Sequence, residues 1–282
     1  MVETKFMSIG MPIYNGALFI RRALDSLLSQ TYKNFELIIS DDASSDETSL
    51  ICQDYLKRDA RIKFFRQPQN LGLVKNFAFV LNLAQGEYFM WAAQDDWWDK
   101  RFIEKMLEAL KKNPKYVVAM SHFKIKRESG EIEETPLGRH DFTHSSNYRL
   151  FKTILEARDN PIFEYGLWRQ DFLKKLFSRF KPETIEDTIT LMAEAGLAGK
   201  FYSVPEVLYV KYRDPRPLRE RHYLGDYYKK PYPYTKFIFS ALYWFLTSSV
   251  IPWRRKVLVF GPWFEMAWRY KGKIFKEIRA AL

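Results

Sequence analysis

The stretch WAAQDDWW, Trp91 to Trp98, places two adjacent carboxylates, Asp95 and Asp96, between an apolar run and two tryptophans. Aspartate in such apolar company is usually paired with another group or holds a cation. The residues that lead into it, EYFMWAA (Glu87–Ala93), have the continuous apolar character of a strand that is covered on both faces. The stretch therefore predicts a buried strand that delivers acidic side chains to its carboxyl end.

Strands and helices alternate on both sides of this stretch. The segments between the predicted strands carry apolar residues at helical spacing. This alternation predicts right-handed βαβ units and an α/β fold, a Rossmann-like, mostly parallel sheet flanked by helices. The predicted strands are FMSIGMPI, ELIIS, IKFFRQ, EYFMWAA and YVVAMSHFKI, at residues 6–13, 36–40, 62–67, 87–93 and 116–125.

Polar side chains follow the first four predicted strands, each at the same end. Ligands of open α/β sheets lie beyond the carboxyl ends of the strands. We therefore expect these side chains to form one site. The residues are Tyr14 and Asn15, Asp41 and Asp42, Asn70, and Asp95 and Asp96.

Three roles are open to the acidic pair. Adjacent residues at a strand end point in different directions, which suits a paired acid/base device poorly. Acids also stabilise the start of a helix, but that role leaves the other strand-end clusters unexplained. Magnesium and manganese prefer carboxylate oxygen and commonly bridge protein to substrate phosphates. The third role joins the clusters, because an ion at Asp96 would neutralise a diphosphate while Asp41 or Asp42 binds a nucleobase or a ribose hydroxyl.

The motifs at these strands resemble those of the family-2 glycosyltransferases, which have the GT-A fold and use nucleotide-diphospho-sugars. The resemblance extends from Ser8 to Arg213 and is densest up to Ile125. SIGMPIYNG is similar to the family's opening strand and turn, FELIISDDASSDET to its second strand and loop, NLGLVKNFAFVLNLAQGEY to its Asn-x-Gly helix and the lead into the fourth strand, and QDD to its Asp-x-Asp metal motif. Gln94 is the departure, at the first position of that motif.

The resemblance implies a role for each matching residue. A divalent cation, manganese or magnesium, would be held by Asp96, with His222 as a second candidate ligand. Arg213 ends a strand-like segment and would reach the diphosphate together with the basic residues after it. The donor-binding residues implied in this way are Pro12, Tyr14 and Asn15 in the nucleoside pocket, Asp41 and Asp42 at base and ribose, Lys75 near the base or diphosphate, and Asp95 at ribose or sugar.

The sequence IEDT, residues 185–188, resembles the family's Glu-Asp pair at the start of a helix that faces the acceptor. This implies that Asp187, beside Glu186, is the general base that deprotonates the acceptor hydroxyl in an inverting displacement. A correctly placed base contributes about 10²–10⁴ in rate. The alternative is an acidic helix start that is favoured by the helix dipole alone.

Residues 216–282 form a basic and aromatic extension with helical character. The charge-free stretch Phe237–Trp253 falls a little short of the roughly 20 residues that span a bilayer. It is followed by RRK and a second aromatic segment. Two such segments with basic flanks predict contact with a membrane interface through residues 236–270. A packed helical hairpin is the alternative.

Composition bounds the remaining questions. The net charge of +11 indicates an anionic partner, while the single cysteine, Cys52, and the lack of a signal sequence at the start favour a reducing compartment. We expect the protein at the cytoplasmic face of the cell membrane. Its expected organisation is a catalytic domain at residues 1–215, with a nucleotide-binding half at 1–125 and an acceptor-side half at 126–215, and the extension at 216–282.

The expected function is transfer of a sugar from a nucleotide-diphosphate donor, with a UDP-sugar favoured, to a hydroxyl of a lipid-linked or cell-surface glycan. One alternative is a catalytically degenerate protein kept for its membrane surface. A sugar-1-phosphate nucleotidyltransferase would need a Gly-rich basic loop after the first strand, and YNGALF is not one. Nucleic acid is not an expected partner, because four aspartates at one sheet edge would repel phosphate.

Overall fold

A computed structural model describes residues 6–127, 129–156, 163–179, 185–213 and 234–281. These residues form an α/β fold in which one sheet is flanked by helices, which confirms the predicted fold class. The strands are β1 (Met7–Ile13), β2 (Phe35–Asp41), β3 (Ile62–Arg66), β4 (Tyr88–Trp91), β5 (Trp97–Trp98), β6 (Tyr116–Arg127), β7 (Ile132–Glu133), β8 (Leu167–Arg169) and β9 (Lys200–Arg213).

The sheet runs in the order β3-β2-β1-β4-β8-β6-β9-β5, and β7 pairs with β6. The first four of these are parallel, as the alternation of strands and helices predicts. In the second half β8 is antiparallel to both β4 and β6, and β5 is antiparallel to β9. The sheet is therefore mixed. The antiparallel pairs could not be predicted from the sequence, because antiparallel neighbours need no helical crossover and so leave no strand–helix alternation to detect.

Helices cover the sheet with their apolar faces. In the helix that follows β1, for example, Leu24 and Leu27 are fully buried and Arg21 is exposed. The helices are α1 (Ile20–Leu28), α2 (Thr48–Arg58), α3 (Leu73–Leu83), α4 (Phe102–Lys111), α5 (Asn147–Glu156), α6 (Gln170–Arg179), α7 (Ile185–Ala198), α8 (Tyr234–Thr247) and α9 (Phe260–Ala281).

The strands β1 and β2 are buried at every position, so their polar side chains need partners inside the fold. Ser8 Oγ donates to Glu36 Oε1 at 2.5 Å, the Gln85 N–H donates to the same oxygen at 3.0 Å, and Lys63 Nζ lies 2.7 Å from Oε2. Burial alone would raise the pKa of Glu36, but these bonds outweigh it and lower the pKa. One buried carboxylate thereby joins three strands and the turn that leads into β4.

The two C-terminal helices pack on α5 and α7. Ala241 and Phe245 of α8 are almost fully buried, and the Phe245 ring meets Phe151 edge-on at a centroid distance of 5.0 Å. The Arg255 guanidinium, between α8 and α9, donates to the carbonyls of Leu197 and Ala198 at 2.8 and 3.1 Å. These contacts satisfy carbonyls at the end of α7, which no helical N–H can reach.

Among the described helices, none is long and apolar enough to cross a membrane. The predicted boundary between the catalytic domain and the extension, at residue 215, lies outside the described residues and stays a prediction.

Candidate active site

The turn after β1 and the loop after β2 are bound to each other. The Asn15 N–H donates to Ser44 Oγ, and the Ser45 N–H donates back to Asn15 Oδ1, each at 2.9 Å. The Gly16 N–H donates to Thr48 Oγ1 at 2.8 Å. Asn15 has a positive φ of 46°, a conformation that Asn tolerates better than most residues. The turn that carries the predicted nucleoside residues is thereby held in one geometry.

Asp41 ends β2 with a fully buried carboxylate. Its Oδ1 accepts the Ser44 N–H at 3.0 Å, and Arg66 Nε lies 3.7 Å from Oδ2. Within the described part of the chain, Oδ2 accepts no hydrogen bond. A buried carboxylate oxygen without a donor is costly, so Oδ2 is suited to accept an N–H or O–H of a ligand.

Asp42 lies beside Asp41 but is committed to the fold. Its two oxygens accept the N–H groups of Leu71 and Gly72 at 2.7 and 3.0 Å, ahead of α3. Burial raises the pKa of Asp42 and the charge of Asp41 adds to the rise, although the two N–H groups oppose it. The structure therefore gives Asp42 a positioning role, and Asp41 has the freer oxygen of the predicted pair.

The other residues predicted for the donor site lie nearby with differing access. Tyr14 and Asn15 are half-buried in the turn after β1. Pro12 is buried within β1, in register with Ser40 of β2, one residue before the end of the strand. Lys75 is exposed in the first turn of α3, three residues after Gly72.

Gln94 forms a two-point clamp on Tyr14. The Tyr14 N–H donates to Gln94 Oε1 at 2.9 Å, and Gln94 Nε2 donates to the Tyr14 carbonyl at 3.0 Å. A Cβ on Gly16 would lie 2.6 Å from Gln94 Oε1, so the glycine leaves room for the amide. An acid at position 94 could accept the N–H but would face the carbonyl with a second oxygen. The departure from the family motif therefore supplies a contact that an aspartate cannot make.

Asp95 is half-buried at the end of the same loop. Its backbone carbonyl accepts a hydrogen bond from Arg22 Nη2 at 2.6 Å, and the Arg22 guanidinium lies 3.4 Å from the ring centroid of Tyr212. The helix α1 and the strand β9 thus hold the backbone of the acidic pair from two sides.

Asp96 is buried, with 1% of its surface exposed. Its carboxylate accepts the Tyr212 N–H at 2.9 Å and a short hydrogen bond from the Tyr209 hydroxyl. Burial raises the pKa of Asp96, while the nearby charges of Lys211 and Arg22 oppose the rise. These hydrogen bonds therefore connect the end of the loop after β4 to β9.

Each oxygen of Asp96 accepts one hydrogen bond inside the fold and keeps a second lone pair, so the prediction that Asp96 holds a metal is not tested and stays a prediction. The described residues contain no group of three or more His, Cys, Asp or Glu side chains suited to a metal. Magnesium and manganese often bind through one or two carboxylates with substrate phosphates as the other ligands. Asp95 is the half-buried carboxylate next to Asp96 in the chain. His222 lies outside the described residues.

The remaining predicted residues are placed only in part. Glu186 and Asp187 belong to the first turn of α7, and their side chains are outside the described part of the structure. Arg213 is the last residue of β9, directly after Tyr212, and Nη2 of its guanidinium lies 3.1 Å from both oxygens of Glu133. The structure thus shows Arg213 in an ion pair with β7.

The contacts that sequence analysis missed are long-range. Tyr209 and Tyr212 lie more than a hundred residues from Asp96 in the chain. Arg22, in α1, lies 73 residues from Asp95. Alternation in VLYVKYR indicates a strand but gives no partner for its tyrosines.

We predict that Gln94→Glu lowers the free energy of unfolding by about 1–3 kcal/mol, because the Tyr14 carbonyl loses its donor and meets a carboxylate. Urea unfolding at neutral pH measures the change. Gln53→Glu, an exposed site on α2 with the same charge change, is the matched control. Equal stability of the two variants would contradict the clamp.

We also predict that Asp96→Ala lowers the free energy of unfolding by about 1–3 kcal/mol without any added metal, since the buried Tyr209 hydroxyl and Tyr212 N–H lose their acceptor. In a double-mutant cycle with Tyr209→Phe, the two changes should couple by at least about 0.5 kcal/mol. Additive losses would show that the bond carries no energy, and unchanged stability of Asp96→Ala would favour a ligand role.

Solved structures with the same fold include TarS of S. aureus. Its residues 1–349 superpose with a TM-score of 0.69 over 94% of this chain and 72% of that chain, at 17% sequence identity. The complex of TarS with UDP-GlcNAc gives a TM-score of 0.67 over 94% and 73% of the two chains, also at 17% identity. At this identity the likeness concerns the fold alone.

Curated relatives share more sequence over shorter ranges. Glycosyltransferase GlyA of Streptococcus pneumoniae serotype 4 is 25% identical over 183 residues, which is 64% of this chain and 26% of that protein. The uncharacterized glycosyltransferase RT0329 of Rickettsia typhi is 39% identical over 106 residues, or 38% of this chain and 32% of that protein. The chain thus spans only a part of these relatives. The uncharacterized glycosyltransferase EpsJ of Bacillus subtilis is 27% identical over 236 residues, which cover 80% and 67% of the two proteins.

The sequence profile named Glycosyl transferase family 2 matches residues 8–177, more than half of the chain. The matched range begins in β1 and ends in α6, and it includes every strand-end cluster described above. The resemblance seen in the motifs is confirmed, and the chain belongs to glycosyl transferase family 2.

Proposed function

We propose that the protein transfers a sugar from a UDP-sugar to an acceptor hydroxyl with inversion at the anomeric carbon. The observation that carries the donor side is the buried Asp41 oxygen, Oδ2, which accepts no hydrogen bond in the described fold and lies at the ligand-binding edge of the sheet. TarS, which shares the fold, has been solved with UDP and with UDP-GlcNAc. This supports a uridine donor for the present chain.

The donor nucleoside would bind at the clamped turn. Asp41 would accept a hydrogen bond from the base or the ribose, and the Tyr14–Asn15 turn would form one wall of the pocket. The clamp of Gln94 keeps this wall in place before the donor arrives, which reduces the entropy lost on binding. Lys75, exposed on α3, would contribute positive charge toward the base or diphosphate.

A divalent cation would be held by Asp95 together with the diphosphate of the donor. When bound, such an ion supplies neutralisation of the charge that develops on the leaving diphosphate. The chain's part is to hold the loop that bears Asp95 rigidly, through the Arg22 bond to its carbonyl and the buried Asp96 beside it.

The acceptor would bind at the start of α7. There Asp187, with Glu186 beside it, would take the proton from the acceptor hydroxyl as its oxygen bonds to the anomeric carbon. The bond from that carbon to the diphosphate breaks at the same time, and the nucleoside diphosphate leaves with the electron pair. The start of a helix also favours negative charge, because the helix dipole stabilises it there.

The extension supports a proposal for the acceptor class and the location. We propose a lipid-linked or cell-surface glycan as the acceptor, and contact of residues 236–270 with the cytoplasmic face of the cell membrane. Exposed aromatic side chains in this range, Tyr243 and Trp268 among them, support the contact. It would bring the site to an acceptor that is itself held in the membrane.

Thermal unfolding with a panel of nucleoside diphosphates, each with and without manganese, tests the donor site. We expect UDP to stabilise the fold by about 2.7 kcal/mol at a hundredfold excess over its Kd. Asp41→Ala should remove most of this effect, and Asp95→Ala only the part that depends on manganese. If no nucleotide shifts the midpoint of the unmodified protein, the donor proposal fails and the catalytically degenerate alternative takes its place.

Release of UDP from a UDP-sugar in the presence of acceptor tests the base. Asp187→Asn should slow transfer by about 10²–10⁴, because the acceptor proton then has no base to receive it. Glu186→Gln is the neighbouring control and should cost far less, while both variants keep the UDP-induced shift in midpoint. Loss of activity in Glu186→Gln alone would assign the base to Glu186.

A further inference from the structure

The aromatic segments of the extension have different surroundings. The first, in α8, gives much of its apolar surface to the core, where Ala241 and Phe245 are each 1% exposed. The second, in α9, leaves four of its large aromatic side chains exposed. A membrane contact through residues 236–270 therefore cannot use both segments alike.

Four aromatic residues lie on one side of α9. At 100° per residue their positions fall within an arc of about 80°. Phe264 and Trp268 are each 63% exposed, and their rings stack at a centroid distance of 6.4 Å and an angle of 18°. We name this surface the α9 aromatic face; it consists of Phe260, Phe264, Trp268 and Phe275.

The opposite side of α9 faces the protein. Trp263 and Met266 are half-buried there, and Glu265 pairs with Lys152 of α5 at 2.8 Å. The helix is thus already docked, and the α9 aromatic face is the side that this docking leaves exposed. Exposed aromatic patches of this kind mark interaction surfaces in soluble folds.

Two basic side chains lie on or beside the face. Lys271 lies within the same arc, and its Nζ is 3.5 Å from the centroid of the Trp268 ring. Arg279 lies about 20° beyond the edge of the arc. Helix α9 carries five basic residues against two acidic ones, Glu265 and Glu277, of which Glu265 is paired with Lys152. The basic residues are Arg269, Lys271, Lys273, Lys276 and Arg279.

We propose that the α9 aromatic face lies in the interface of an anionic lipid bilayer, with Lys271 and Arg279 at the level of the headgroups. Aromatic rings favour that depth, and a helix with one apolar side and a surplus of cations binds anionic lipid from the surface. The proposal deepens the membrane contact given above, because it assigns the contact to α9 and to one side of it.

Sedimentation with phosphatidylcholine vesicles, with or without phosphatidylglycerol, tests the proposal on the full chain. We expect the unmodified protein to bind the phosphatidylglycerol vesicles more tightly. Phe264→Ser combined with Trp268→Ser should weaken binding to them at least about tenfold, since two rings lose their apolar burial. Lys271→Gln combined with Arg279→Gln should weaken it roughly fivefold per charge, and only where phosphatidylglycerol is present.

Leu50→Ser, which removes an exposed leucine from α2 in the catalytic part of the chain, is the matched control and should bind as the unmodified protein does. The UDP-induced shift in unfolding midpoint, measured on every variant, reports folding and the donor site separately. A shift without vesicle binding overturns the lipid proposal and leaves glycosyl transfer standing, whereas vesicle binding without a shift does the reverse.

Two further outcomes would overturn the lipid proposal. One is vesicle binding that survives in the Phe264→Ser, Trp268→Ser variant. The other is light scattering that shows a dimer which this variant dissociates, in a protein that binds no vesicles. The face would then be a contact between two copies of the chain.

Discussion

The buried carboxylate of Asp96 is the constraint on which the site depends. It follows the fourth strand of the parallel half and accepts hydrogen bonds from two residues of β9, the strand that ends the second half. A carboxylate removed from water is tolerable only with such partners. The loop that bears Asp95 and Gln94 is therefore fixed from its far end, and Gln94 transmits that fixed position to the turn after β1. Asp95 is thus held in place by a neighbouring acid that is buried.

The parallel half of the fold could be predicted from sequence because β1, β2 and β4 are buried on both faces and the strands are separated by amphipathic helices. Both features leave local patterns, as in the fully buried β1 and the apolar spacing of α1. The second half could not be predicted to the same degree. The strands β5 and β8 have two and three residues, and their antiparallel partners come from distant parts of the chain. Periodicity has no meaning over so few residues.

The location of the candidate site could be predicted from the sequence better than the role of each residue in it. The carboxyl ends of β1, β2 and β4 do bring Asn15, Asp41 and Asp95 to one edge, as the topology requires. Hydrogen-bond partners decide which carboxylate oxygens are already occupied inside the fold, and the motifs do not identify those partners. Examples are the Tyr209 hydroxyl for Asp96 and the N–H groups of Leu71 and Gly72 for Asp42. Gln94 is a further example, since the sequence shows it only as a departure from the motif, whereas the structure shows that it binds the Tyr14 backbone.

The packing of α8 and Arg255 on the end of α7 bears on how the protein can be divided. A fragment cut at residue 215 would leave Phe151 without the Phe245 ring and the last carbonyls of α7 without the Arg255 guanidinium. Exposed apolar surface and unpaired backbone groups both favour aggregation over a folded fragment. The described helices of the extension thus pack as part of the same core as α5 and α7. A chain intended for crystallisation should retain the extension and replace only the exposed rings of α9.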